Sequence, residues 1–213
     1  MPDPQATEDW GTIRADIDHL RAQSQGRRVL LGIAGAPGSG KTTLAARLHQ
    51  ELGSQLAVAV PMDGFHLARN VIAGTALERR RGAIDTFDGW GFAALVERIA
   101  SQADHTIYAP EFRRGLEEPI ACSIAIAPTV PIVIIEGNYL LADERPWRDI
   151  RDHLTETWFV ESDEDERVDR LARRHVEHGM DQVSARSWAT TVDAANARFI
   201  EATRHRADRI IRW

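Results

Sequence analysis

The sequence predicts an α/β fold in which a mostly parallel five-stranded sheet lies between two layers of helices. Three observations predict it. Short apolar runs, each the length of a buried strand, recur along the 213 residues. Segments with apolar residues at helical spacing separate them. The first run leads straight into a glycine-rich loop and then a helix. Strands alternating with helices imply parallel pairing with helices on both faces.

Taken in order, Thr7 to Gln23 is an amphipathic helix with Ile13, Ile17 and Leu20 on one face. Val29-Leu30-Leu31-Gly32-Ile33-Ala34 is apolar throughout, as expected of a buried parallel strand. Thr43 to Leu52 is a helix with Leu44, Leu48 and Leu52 together and Gly53 as its stop. Ala57 to Met62 is a strand ending at Asp63, and Gly89 to Ser101 a helix carrying Phe92, Leu95, Val96 and Ile99. Thr106 to Ala109 is a strand, and Ile120 to Ala127 alternates well enough for one or two short antiparallel strands. They make a short antiparallel insertion at about residues 105–128. Ile132-Val133-Ile134-Ile135 is the most apolar run and is expected to be central. Thr157 to Val160 is a strand, Glu164 to His178 a charged helix, Ser184 to His205 a long helix, and Arg209 to Trp213 a closing strand. With no repeat, low-complexity tract or long linker, residues 1–213 are expected to form one domain.

Composition narrows the class. No stretch reaches the ~18 apolar residues of a membrane span, and Met1-Pro2-Asp3-Pro4 lacks an apolar signal core. A single cysteine, Cys122, excludes an internal disulfide and a cysteine-based zinc site. A net charge of −6 argues against a nucleic-acid partner. The expected setting is cytoplasmic, with a small-molecule substrate as partner, no nucleic acid and no membrane insertion; a homodimer is left open.

The chemistry begins with Lys41, the sole lysine among 26 basic residues. It lies in Gly35-Ala36-Pro37-Gly38-Ser39-Gly40-Lys41-Thr42, which fits the phosphate-loop pattern Gly-x₄-Gly-Lys-Ser/Thr without mismatch. Arginine is a flat fork, whereas this loop needs a compact ammonium on a thin stem to bridge β- and γ-phosphate oxygens. Backbone N–H groups of the loop, with Thr43 opening the helix, form an anion cradle. Thr42 is expected to place its hydroxyl on Mg²⁺. The fold class is therefore a three-layer P-loop NTPase fold with a helical lid, and the expected ligands are ATP and Mg²⁺.

Other residues separate the uses of such a loop. A guanine-reading Asn/Thr-Lys-x-Asp motif would need a second lysine, and there is none. Glu136 ends the most apolar strand, beside the loop, where a carboxylate can steady the metal. Asp63 ends another strand and can accept the proton of an attacking hydroxyl. Arginines on the charged helix, Arg167, Arg170, Arg173 and Arg174, can neutralise charge on a transferring phosphoryl group, and their acidic neighbours can equally pair with them on a solvated face. Arg79-Arg80-Arg81 reads first as a solvated helix end and second as an attraction for a phosphorylated or carboxylated acceptor. The segment from Arg167 to Asp181 carries too much charge for a core, and Gly179 gives it a flexible end. It is expected to be a mobile lid at about residues 163–181.

Met62-Asp63-Gly64-Phe65-His66, the Glu136-Gly137 strand end and Arg170-Leu171-Ala172-Arg173-Arg174 resemble the phosphoribulokinase, uridine kinase and bacterial pantothenate kinase family. The likeness runs from about Val29 to Ile211 and is greatest to a small bacterial branch labelled fructose transport system kinases. The resemblance implies transfer of the ATP γ-phosphate to a hydroxyl of a small metabolite, with Asp63 as base. It implies a phosphate clamp, carried over most directly to Arg173 and less so to Arg170 and Arg174. Asp85-Thr86-Phe87-Asp88 matches the family's acidic segment in part. Where uridine kinases carry His-Pro before the first aspartate, this chain has Ala83-Ile84, and Tyr108-Ala109-Pro110-Glu111-Phe112-Arg113-Arg114 replaces their Tyr-Asp stretch. Arg206 to Ile211 resembles the closing strand beside which adenine sits.

The expected catalytic residues are thus Lys41, Asp63 and Arg173. Gly35, Ala36, Pro37, Gly38, Ser39, Gly40, Lys41, Thr42, Thr43, Arg170 and Arg174 are expected on the nucleotide, and Thr42 and Glu136 on the metal. Asp63, His66, Asp85, Phe112 and Arg114 are expected around the acceptor. A sugar or other polyol leads as acceptor; a nucleoside or pantothenate-like alcohol follows. The rival of another class is an ATP-binding regulatory protein with no acceptor.

Overall fold

The computed structural model describes residues 9–102 and 104–212. Thr7, Glu8 and Trp213, expected at the ends of elements, lie outside them. In chain order the elements are α1 (Trp10–Gln23), β1 (Val29–Ala34), α2 (Lys41–Leu52), β2 (Ala57–Pro61), α3 (Arg69–Ile72), α4 (Gly89–Ser101), β3 (Ile107–Arg113), β4 (Glu118–Ile126), β5 (Ile132–Glu136), α5 (Trp147–Arg151), β6 (Glu156–Glu161), α6 (Glu164–Glu177), α7 (Gln182–Glu201) and β7 (Arg209–Arg212).

Five strands form one sheet in the order β2-β5-β1-β6-β7, with every neighbouring pair parallel. Successive side chains on a strand point to opposite faces, and the two faces build separate cores. Val29, Leu31 and Ile33 of β1 with Ile132 and Ile134 of β5 meet Ile13 and Ile17 of α1 and Leu44 and Leu48 of α2. Leu30 of β1 with Val133 and Ile135 of β5 meet Phe92, Leu95, Val96 and Ile99 of α4. These two cores make the three layers. Among the described residues no helix is long and apolar enough to cross a membrane.

The strands end in step. Glu136 is level with Ile33 of β1 and Pro61 of β2, so three carboxyl ends meet at one edge of the sheet. In an open α/β sheet that edge is where ligands sit.

The insertion differs from the sequence reading in length. Ile120 to Ile126 belongs to a single nine-residue strand, β4, which starts at Glu118 and pairs antiparallel with a β3 that runs on to Arg113. The pairing register shifts between Ala109 and Glu111. The residue between them is Pro110, which has no N–H to give a ladder. The long C-terminal helix ends at Glu201, four residues earlier than expected, and a 3₁₀ turn spans Arg204–Arg206.

Helix α6 differs in kind. Its charge suggested few buried contacts, yet Val168 and Leu171 are buried against Ala189 of α7, and Arg167 is only 4% exposed. The physical reason is the phosphate loop beneath it, whose carbonyls accept from the buried arginine, as described below.

Candidate active site

The loop from Gly35 to Thr42 joins β1 to α2. Gly40 is the N-cap of α2 with φ 98°, a left-handed geometry that favours glycine, and no side chain caps the helix. The other four helices of eight or more residues begin with a capping aspartate: Asp9, Asp88, Asp163 and Asp181. Helix α2 alone among them keeps its N-terminal donors for something outside the chain, the arrangement that receives phosphate. The Ser39 hydroxyl is also buried without a partner.

Lys41 is 8% exposed, and burial pulls its ammonium below the ordinary lysine range while Glu136 and Asp63 oppose that shift. Glu136 is buried too, and burial first, with the charge of Asp63, holds its carboxyl above the usual carboxylate range; Lys41 opposes this. The Thr42 hydroxyl donates to Glu136 Oε1 at 3.2 Å. A buried carboxylate and a hydroxyl side by side offer two hard oxygens, the donor type that Mg²⁺ takes together with phosphate oxygens and water.

Asp63 sits just past β2, in a 3₁₀ turn over Met62–Phe65 rather than on the strand itself. The hairpin presses on that turn: a Cβ on Gly64 would lie 2.4 Å from the Pro110 carbonyl oxygen. Only glycine permits this approach. From the end of the same hairpin strand, Arg114 Nη2 reaches within 3.7 Å of Asp63 Oδ2. His66 stacks on Phe87 at 4.0 Å between ring centroids and meets Phe112 edge-on at 5.0 Å. Burial lowers the His66 pKa to about 4, with Asp63 opposing and Arg81 and Arg114 adding to the drop, so its ring is neutral near pH 7. Asp63, His66, Phe112 and Arg114 line a cavity of about 610 Å³, with Pro37 of the phosphate loop on its rim.

Helix α6 roofs the loop. Arg167 Nη1 donates to the Pro37 carbonyl at 3.4 Å and Arg170 Nη1 to the Gly38 carbonyl at 3.1 Å. A Cβ on Gly38 would lie 2.9 Å from Leu171 Cγ, so the helix sits directly on the glycine. Arg174, one turn further on this face, lines the cavity. Burial pulls its guanidinium below the ordinary arginine range, Arg114 adds to that, and Asp193, Asp63 and Glu136 oppose it.

The structure thus brings together most of the expected residues but parts two from them. Arg173 is exposed and lines a separate groove with Ala172, Val176 and Val183, on the outer side of α6 and α7. At ~100° per residue it is turned about 100° from Arg174 and about 120° from Arg167. Asp85 is exposed, ion-paired with Arg80, and does not line the cavity. Conversely, Arg81, Asn138, His175 and Asp193 line it; of these only Arg81 had an acceptor-attracting role in the sequence reading, and that as the second choice. His175 Nε2 and Asp193 Oδ2 are 2.7 Å apart and largely buried, tying α6 to α7 beside Arg174. Asn138 carried a legible signal, since it lies two residues beyond Glu136 at the same strand end. Arg81 was masked by its place in a run of three arginines, two of which are exposed.

Comparison with known proteins agrees with this geometry. The model of the phosphoribulokinase / uridine kinase family matches residues 30–213. A crystal structure described as a "putative fructose transport system kinase" from Silicibacter sp. TM1040 is 37% identical with a TM-score of 0.78, covering 90% of this chain and 98% of that one. A protein named "putative uridine kinase" from Schizosaccharomyces pombe is 36% identical over 165 residues, 72% of this chain and 69% of its own. YFH7 from Saccharomyces cerevisiae, a P-loop containing kinase with a circular permutation, shares the fold at a TM-score of 0.83 and 20% identity, over 97% of this chain and 99% of that one. With its phosphate loop, strand-end carboxylate and arginine-bearing helix in one crevice, the chain belongs to the phosphoribulokinase / uridine kinase family of P-loop kinases.

Proposed function

We propose that this protein transfers the γ-phosphate of ATP, with Mg²⁺, to a hydroxyl of a small metabolite, most simply a sugar or other polyol, in the cytoplasm. The observation that carries the reading is the position of Asp63. It shares its electrostatic surroundings with Lys41 and Glu136 and lines the polar cavity on the other side. A group so placed lies between donor and acceptor. The names of the relatives support a kinase and differ over the acceptor, one naming fructose transport and another uridine.

In this reading the uncapped N-terminus of α2 and the Lys41 ammonium hold the β- and γ-phosphates. Thr42 and Glu136 would hold Mg²⁺, which when bound neutralises charge on the phosphate oxygens. Asp63 accepts the proton as the acceptor oxygen bonds to the γ-phosphorus, and the bond from that phosphorus to the β-phosphate oxygen breaks to leave ADP. Arg114 fixes the carboxylate of Asp63. Arg174, rather than Arg173, stabilises charge on the transferring group, and α6 shields the reaction from water. ADP release measured over sugars, polyols, nucleosides and pantothenate-like alcohols tests the reading. Stimulation by an acceptor is expected; tight ATP binding with no stimulation by any class would favour a regulatory nucleotide sensor.

A further inference from the structure

We propose that the acceptor carries an oxyanion, a carboxylate or a phosphate, besides the hydroxyl that is phosphorylated, and that Arg81 with Arg69 reads it. This rests on the kinase reading above and deepens it.

Two of the other arginines on the cavity wall already face acidic groups. Arg114 opposes Asp63 at 3.7 Å. Arg174 feels Asp193, Asp63 and Glu136. Arg69 and Arg81 differ. Both line the cavity, and among the described residues no carboxylate lies within ion-pair distance of either. The acids nearest to them are engaged elsewhere. Both oxygens of Glu118 accept from the Arg69 backbone N–H, at 3.0 and 3.2 Å. Glu117 Oε1 accepts from the Gly115 N–H at 3.1 Å, and Glu78 Oε2 from the Gly74 N–H at 2.9 Å. The charges of Glu118 and Glu117 soften the field at Arg81, yet neither carboxylate pairs with it.

Arg81 is also held in place. Its Nη2 donates to the Glu117 carbonyl at 2.8 Å, and its guanidinium lies 5.5 Å from the centre of the Phe112 ring. Its Nε is buried with no partner. A half-buried guanidinium that is fixed and partly desolvated, with no carboxylate paired to it, gains when an anion arrives. Fixing it beforehand lowers the entropy lost when that anion binds, and a guanidinium fork suits carboxylate and phosphate alike. A neutral polyol would leave both guanidiniums without a paired anion. An oxyanion supplies that partner, and its placement on the cavity wall with Asp63 fixes which end of the molecule carries the reacting hydroxyl.

The test has a binding arm and a turnover arm. With the nucleotide site filled by a non-hydrolysable ATP analogue and Mg²⁺, inorganic phosphate and malonate are titrated by calorimetry. Saturable binding is expected, weakened about 10- to 100-fold in Arg81→Gln, as for loss of charged hydrogen bonds, and partly restored in Arg81→Lys, with affinity for the analogue unchanged. Turnover is then compared across glucose, gluconate and glucose 6-phosphate, and across glycerol, glycerate and glycerol 3-phosphate. The charged members should have the higher kcat/KM, and Arg81→Gln should raise their KM while leaving kcat nearly unchanged. Which charged member wins separates carboxylate from phosphate. Absence of anion binding, or equal loss for neutral and charged acceptors in Arg81→Gln, overturns the proposal. Anion binding lost in Arg81→Gln, with no turnover on any acceptor class, would sustain the anion site and overturn the kinase reading instead.

Discussion

Arg114 Nη2 and Asp63 Oδ2 face each other at 3.7 Å, joining the antiparallel hairpin to the turn that follows β2. Both side chains are about a third to a half exposed, so the pair is worth at most ~1 kcal/mol of stability. Its value lies in aiming the Asp63 carboxylate. Asp63→Asn is therefore expected to leave the fold and the affinity for ATP nearly intact while lowering kcat by roughly 10²–10⁴-fold. Steady-state kinetics beside calorimetric titration of the Mg²⁺–nucleotide complex checks this. A loss confined to nucleotide affinity would move Asp63 to the metal.

Lys41→Ala should reduce turnover by about 10²–10³-fold, the usual scale for removing a fixed charge from a developing transition state. Lys41→Arg should lose less than Lys41→Ala and still be slow, because a flat guanidinium does not replace a compact ammonium between phosphate oxygens. Circular dichroism and thermal melts should show both variants folded. Normal turnover in Lys41→Ala would exclude the phosphate-loop reading.

The arginines of α6 make a paired prediction. Arg174→Ala, which empties a position on the cavity wall, should lower kcat by about 10²–10³-fold. Arg173→Ala alters an exposed residue in the outer groove and should change stability by no more than ~0.5 kcal/mol. Kinetics of the two purified variants side by side decides the matter. The reverse order would mean that the helix turns on its axis when nucleotide binds.

His66 supplies a pH signature. Its folded pKa of about 4 lies below the ordinary 6.5, so the unfolded chain binds the extra proton first. Stability from this group is full above about pH 6.5 and is lost as pH falls towards 4, by up to about 3 kcal/mol. His66→Asn should flatten that part of the melting-temperature profile between pH 4 and 6.5. The same slope in wild type and variant would show that another group causes the acid loss.

The parallel sheet was legible because β1, β2 and β5 are short, strongly apolar runs, and β1 and β5 are buried along their whole length. The phosphate loop was legible because its backbone geometry needs glycines at fixed intervals, which leaves a mark in sequence. The acceptor wall was not. Arg81, Asn138 and Asp193 meet across segments far apart in the chain, and nothing local marks their convergence. Arg173 and Arg174 show the limit from the other side. Adjacent arginines are alike in composition, and only the docking of Leu171 on Gly38 decides which one lines the cavity.

That docking has a mechanical consequence. The small apolar cluster of Val168, Leu171 and Ala189 is shared by α6 and α7 and is separate from both cores that sandwich the sheet. Further along α7, Ile200 belongs to the core on the α4 side, and Phe199 meets the Tyr139 ring at 6.0 Å. The two helices are thus bound to one another by a core of their own, and α7 is anchored to the main body at its far end. Rotation about that anchor would lift Leu171 from Gly38 without melting either helix. Opening the phosphate loop would then cost the Leu171 seat and the hydrogen bonds of Arg167 and Arg170 to the loop, while the sheet and its cores stay still.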